Sequence, residues 1–184
     1  QTPIAGHSVM RRLEVTADTR VVLTPTGQQR WVVEQTIDCD VRWGRLSEIV
    51  FVTPAPLAKL GAEAALAGVS ARDAQGRDLT LRVVDGNLQL WLPDPVEGRT
   101  SVQLQYVLPE SSSPGFVDVP VFRLTAAPYS STVIEFQSGG TMAVDALDSD
   151  WQLVSTAVRP VFMTRAPHDH FEAEISLQVA EAPQ

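Results

Sequence analysis

Between Trp31 and Trp43 the sequence WVVEQTIDCDVRW alternates with a period of two. Trp31, Val33, Gln35, Ile37, Cys39, Val41 and Trp43 form one set, apolar except for Gln35. Val32, Glu34, Thr36, Asp38, Asp40 and Arg42 form the other, polar except for Val32. Successive side chains of a strand point to opposite faces, so the stretch reads as a strand with one buried and one wet face. No helical period fits as many positions. Its length, about 43 Å if fully extended, exceeds that of most strands and predicts a bend or bulge. The parity assigns Trp31 and Trp43 to the core or its ends. Cys39, the only cysteine, lies on the apolar set, which predicts a buried, inert thiol and leaves no partner for an intrachain disulfide.

A second alternating stretch runs from Leu13 to Leu23 and is joined to the first by the turn-forming cluster Pro25-Thr26-Gly27-Gln28. The two are expected to form a long antiparallel hairpin. Ile49–Val52 reads as a short strand ended by prolines. Residues 57–67 allow at most a turn or two of helix, because Gly61 interrupts a short run of alanine and leucine. Four further segments, 69–74, 78–84, 87–93 and 100–108, read as a meander punctuated by Ala74-Gln75-Gly76-Arg77, Asp85-Gly86 and Glu97-Gly98. Asp-Gly between two strands favours a type I′ turn, since both central residues need φ > 0. That turn sets Val84 opposite Asn87, Arg82 opposite Gln89 and Thr80 opposite Trp91, with Leu81, Leu88 and Leu90 on the other face. More strands are expected at 119–125, 132–137, 141–146, 151–156, 160–165 and 171–179.

Many short strands with turns between them and little or no helix mean an all-β fold: an antiparallel β-sandwich, immunoglobulin-like or saddle-shaped, of meander or Greek-key type. Residues 1–184 are read as a single domain, with a subdomain break placed near 109–115, where PESSSPG is the one linker-like run. The chain opens on Gln1 rather than Met, as a processed or excised piece of a longer protein would.

The net charge of −8, with scattered basic residues, argues against nucleic acid and against an anionic membrane surface as partners. No run of eighteen apolar residues exists, so no transmembrane segment is expected. For metal, His168, His170, Glu172 and Glu174 share the outward set of the last strand, and Asp145, Asp148 and Asp150 bring three carboxylates close in sequence. A zinc site would need the first set well placed within reach of one ion, with an open position, and the second set lacks the EF-hand pattern. The expectation is therefore a solvated strand face and an acidic turn, with no cofactor. Ser111, Ser112 and Ser113 lie in the linker-like run, and no G-x-S-x-G, HExxH, P-loop or GxGxxG occurs, so no catalytic residue is assigned. The residues singled out for binding are Trp91, Arg82 and Gln89, on the polar face of the Asp85-Gly86 hairpin. A tryptophan there either stacks on a sugar, anchors a partner protein, or is covered by another part of the chain. Burial by the C-terminal half is the expectation.

Residues 71–109, with Leu88-Gln89-Leu90-Trp91-Leu92-Pro93 and Leu104-Gln105-Tyr106, resemble the middle of the N-terminal β-domain of M1-type aminopeptidases; RPVFMTRAPHDHFEAEISLQV near the C-terminus is distantly similar to its closing strands. The turn Arg165-Ala166-Pro167-His168-Asp169 departs from the family's pattern, and the zinc-binding catalytic domain has no counterpart. The resemblance implies a non-catalytic β-domain and carries over no functional residue. The expectation is a non-catalytic extracytoplasmic module of a larger bacterial protein, in contact with another protein or with other domains of its own polypeptide. The alternatives are a carbohydrate-binding module using Trp91 and an accessory domain of a metallopeptidase.

Overall fold

The computed structural model describes residues 13–26, 30–54, 68–108, 116–127, 131–137, 142–146, 151–155, 161–164 and 174–181. The run 57–67 and the linker-like run 109–115 lie outside them. The described residues contain no helix.

Strands β1 (Glu14–Thr26) and β2 (Arg30–Val52) form the expected hairpin, with Val21 opposite Gln35 and Ala17 opposite Cys39. Strands β3 (Val69–Asp73), β4 (Thr80–Val84) and β5 (Asn87–Val107) follow. Next come β6 (Phe116–Pro120), β7 (Arg123–Leu124), β8 (Ser131–Phe136), β9 (Met142–Ala146), β10 (Trp151–Ser155), β11 (Val161–Thr164) and β12 (Glu174–Glu181). The large sheet has the order β10-β11-β8-β1-β2-β5-β3, with β4 added to β5 and β7 to β2; a small sheet has the order β6-β12-β9. Strands β1 and β8 run parallel, so the large sheet is mixed rather than purely antiparallel.

The long strands β2 and β5 divide the large sheet into two limbs. Pairing between them is regular from Val32↔Val107 to Val41↔Gly98 and resumes as Glu48↔Trp91 to Val52↔Asn87. Between these runs each strand makes an excursion, β2 at residues 42–45 and β5 at 92–95, separated by the pair Leu46↔Val96. Gly44 (φ 83°) and Gly98 (φ 77°) take left-handed backbone at these bulges, a conformation that glycine adopts without steric cost. Two sequence expectations are corrected here. Glu97-Gly98 is a bulge within β5, not a turn between two strands, and β2 runs on through Trp43 to Val52. The apolar parity also ends at Val41: Trp43 is 45% exposed because the excursion begins there.

One face of the large sheet is continuous core. Val21, Leu23, Val33, Ile37, Val102, Leu104, Ile134, Phe136 and Phe162 are almost fully buried on it. Trp31 meets Phe136 edge-on at 5.6 Å, and Phe136 meets Phe162 at 6.1 Å, the geometry favoured by ring quadrupoles. Gln35, the exception in the apolar set, is also fully buried. Its Nε2 donates to the Phe122 carbonyl at 2.6 Å, and the Phe122 N–H donates to its Oε1 at 3.0 Å. The amide thus takes the place of a strand neighbour for the segment that leads from the small sheet to β7. The Tyr106 hydroxyl donates to the Pro120 carbonyl beside it, and the Phe122 ring packs edge-on to Tyr106 and Phe51. Burial holds the Tyr106 hydroxyl well above the usual phenol range.

Cys39 is buried on the same face, as expected. Desolvation, with Asp38 next to it, pushes its thiol up to about 11, so at neutral pH it is protonated as well as enclosed. A thiol reagent should therefore label Cys39 only after denaturation. Fast labelling of the native protein, followed by mass spectrometry, would show that this strand face is open.

Candidate functional site

The site begins with a turn. Asp85 (φ 50°) and Gly86 (φ 78°) are both left-handed, as a type I′ hairpin demands. The register of β4 on β5 is the expected one: Thr80↔Trp91, Leu81↔Leu90, Arg82↔Gln89, Val83↔Leu88 and Val84↔Asn87. Strand β2 extends the array on the far side, with Glu48 opposite Trp91 and Val50 opposite Gln89. Leu88 and Leu90 turn into the core. The outer face consequently carries three rows, Thr80-Trp91-Glu48, Arg82-Gln89-Val50 and Val84-Asn87-Val52.

Trp91 is 38% exposed on this face, which corrects the expectation that the C-terminal half of the chain buries it. Arg82, the diagonal cross-strand neighbour, lies over its ring, with Cζ 4.9 Å from the ring centre. A guanidinium over an exposed indole is worth about 0.5–1 kcal/mol, enough to favour one arrangement of both side chains. Gln89, opposite Arg82, is half-buried. Arg82 has no carboxylate partner among the described residues. Sequence reasoning found Trp91, Arg82 and Gln89 through the turn chemistry. It missed Glu48 and Val50, whose place depends on β2 running past its bulge.

A concavity lies on the outer face of the other limb. A groove of about 740 Å³ is lined by Thr16, Asp18, Asp38, Asp40, Arg99 and Ser101, among others. Asp38 stands opposite Asp18 on one side and Ser101 on the other, and Asp40 stands opposite Arg99. Like charges facing across strands are unfavourable; Asp18 is relieved by accepting the Ser131 hydroxyl. The signal in the sequence was the polar set of β2, but pairing it with Arg99 needed the register with β5.

Among the described residues no group of three His, Cys, Asp or Glu could hold a metal ion. Of the sequence candidates, Asp145 lies on β9 opposite Gln178, and its side chain is outside the described residues. So are Asp148, Asp150, His168, His170 and Glu172. On the edge of the large sheet, Asp73 organises the β3–β4 turn. Burial alone would raise its carboxyl, but N–H donors from Arg77 and Gln75 outweigh that and hold it below the usual range. No described helix is long and apolar enough to cross a membrane.

Neither a protein-family model nor a curated protein matches this sequence. Among solved structures, the chain is similar to an M1 zinc metallopeptidase from Deinococcus radiodurans, at 14% identity. The match covers 91% of this chain and 42% of the peptidase, with a TM-score of 0.44. A mutant of that peptidase bound to a Tyr-Ser-Ala substrate matches with a TM-score of 0.49, covering 91% of this chain and 43% of that one. The family is the one that residues 71–109 resemble in sequence, and the likeness is distant. The chain spans about two fifths of the peptidase's length. A candidate nutrient-binding protein from Legionella pneumophila shares the fold at 6% identity and a TM-score of 0.54, over 90% of this chain and 67% of its own.

Proposed function

We propose that this chain is a non-catalytic, extracytoplasmic β-domain that works by contact, with the outer face of the β4–β5 hairpin docking onto another protein or onto a neighbouring domain of its own polypeptide. The observation that carries the reading is the exposed Trp91 with Arg82 laid over its ring. Tryptophan and arginine are the residues most enriched where truncation costs protein–protein contacts most. Here a type I′ turn and a two-sided strand register hold both in place before any partner arrives, which lowers the ordering cost of binding. An accessory domain of a metallopeptidase is one form of the same reading, with the catalytic domain as the surface contacted.

The experiment is site-specific photo-cross-linking in the full-length protein. Benzoylphenylalanine in place of Trp91 should cross-link to a second domain or protein, whereas the same group at exposed Gln103, on the other limb, should not. Cross-links from 103 with none from 91 would overturn the reading.

The exposed indole also supports a carbohydrate-binding reading, since sugars stack on aromatic rings. Arg82 counts against it, because a pyranose on that ring face must displace the guanidinium. Oligosaccharide titration should leave the Trp91 emission unchanged; saturable quenching that disappears in Trp91→Ala would put the sugar reading first.

A further inference from the structure

The geometry points to a second part of the same contact surface: the edge of β4 that faces away from β5, unpaired among the described residues, accepts an extended strand of the partner, one that alternates apolar and acidic residues and sets a carboxylate opposite Arg82. This inference rests on the reading of the Trp91–Arg82 face as the partner surface.

Among the described residues, strand β4 pairs with β5 and with no other strand. In a hairpin with a two-residue turn, the residues flanking the turn form a hydrogen-bonded pair, and bonded and non-bonded pairs alternate from there. Val84, Arg82 and Thr80 therefore direct their N–H and C=O groups at β5, while Leu81 and Val83 direct theirs away from it. Those outward groups have no backbone partner among the described residues. The sequence TLRVV carries no proline, no lysine and no bulge; what guards this edge is its shortness and the charge of Arg82. At the opposite end of the large sheet, β10 does carry a register break, between Leu153 and Ser155.

An exposed edge of this kind binds extended peptide through main-chain hydrogen bonds, and side chains supply the choice of sequence. On an added strand, the residue opposite Arg82 shares the face of Arg82 and Trp91. Its two neighbours lie beside Leu81 and Val83, which pack against the core. Arg82 lacks a carboxylate among the described residues, so Asp or Glu is the complementary residue there, flanked by apolar ones. A second copy of this chain fits poorly: two β4 strands paired antiparallel about Arg82 would set guanidinium against guanidinium, and like charges directly opposite repel.

The probes are two blocked peptides, Thr-Val-Glu-Val-Thr and Thr-Val-Lys-Val-Thr, added at millimolar concentration to the isotopically labelled protein. The amides of Leu81 and Val83 are followed by hydrogen exchange and NMR shifts. The glutamate peptide should protect both amides and bind about tenfold more tightly than the lysine peptide, the combined effect of a matched and a mismatched cross-strand charge pair. Arg82→Glu should invert that preference. Val83→Pro, which removes an N–H pointing away from β5, should abolish both interactions. No protection by the glutamate peptide, equal binding of the two peptides, or protection that survives Val83→Pro would overturn the inference. A position-91 cross-link that persists in Val83→Pro would leave the face reading standing while the edge fails. Peptide protection without any position-91 cross-link would mean that the face reading has failed.

Discussion

Gln35→Leu should lower the free energy of unfolding by about 2–4 kcal/mol, although it replaces the one polar residue of an otherwise apolar strand face. Read from pattern alone, the substitution completes the core. In the structure it removes the partner of two main-chain groups at once, because the side-chain amide accepts the Phe122 N–H and donates to the Phe122 carbonyl. Both then stay buried without a hydrogen bond, at about 1–3 kcal/mol each before any relaxation. Tyr106 lies in the same cluster, its hydroxyl 3.4 Å from Gln35 Oε1, so Gln35→Leu and Tyr106→Phe together should cost less than the sum of their separate effects. Urea denaturation of the three variants provides the check. A neutral or stabilising Gln35→Leu would mean that the Phe122 main chain is paired or hydrated in some other way.

Phe136→Ala should cost about 3–5 kcal/mol, the range for truncating a buried aromatic side chain. Phe136 is inaccessible to solvent and stands between Trp31 and Phe162. It thereby joins β2, β8 and β11 across the sheet. Its position depends on the parallel pairing of β8 with β1, which sets Phe136 beside Leu23. The same variant should shift Trp31 emission to the red as its edge contact is lost. A loss below about 1 kcal/mol, as for a surface position, would remove β8 from the core.

The parts of this fold that could be read in the sequence are those fixed locally. The Asp85-Gly86 register follows from two left-handed residues and an alternating pattern, and every described pair agrees with it. The β1–β2 hairpin was legible from two alternating stretches of the same parity on either side of a turn-forming cluster. Glu97-Gly98 carries a local signal that serves equally for a turn or a bulge. What decides it is Val41 standing opposite Gly98 on a strand more than fifty residues earlier in the chain. The parallel β1–β8 pair joins segments 113 residues apart, as between Asp18 and Ser131, and no pattern in either segment encodes the other. Gln35 was conspicuous as an exception, yet its reason lies 87 residues away at Phe122.

The candidate site divides along the same line. Hairpin parity placed Trp91, Arg82 and Gln89 together on the polar face. Whether something covers Trp91 depends on the whole chain, and the expected cover from the C-terminal half is not what the structure shows. Asp38 and Asp40 belonged to the wet set of β2, but a groove with Arg99 and Ser101 exists only once β5 is in register.

As a surface group held ready for a partner, Trp91 should contribute little to the core, and equilibrium urea denaturation of Trp91→Ala measures how much. The loss should be less than about 1 kcal/mol, no more than the exposed cation–π contact with Arg82 supplies. A loss of about 3–5 kcal/mol, the cost of removing a buried tryptophan, would contradict the surface placement, because Trp91 would then be covered by its own chain in solution.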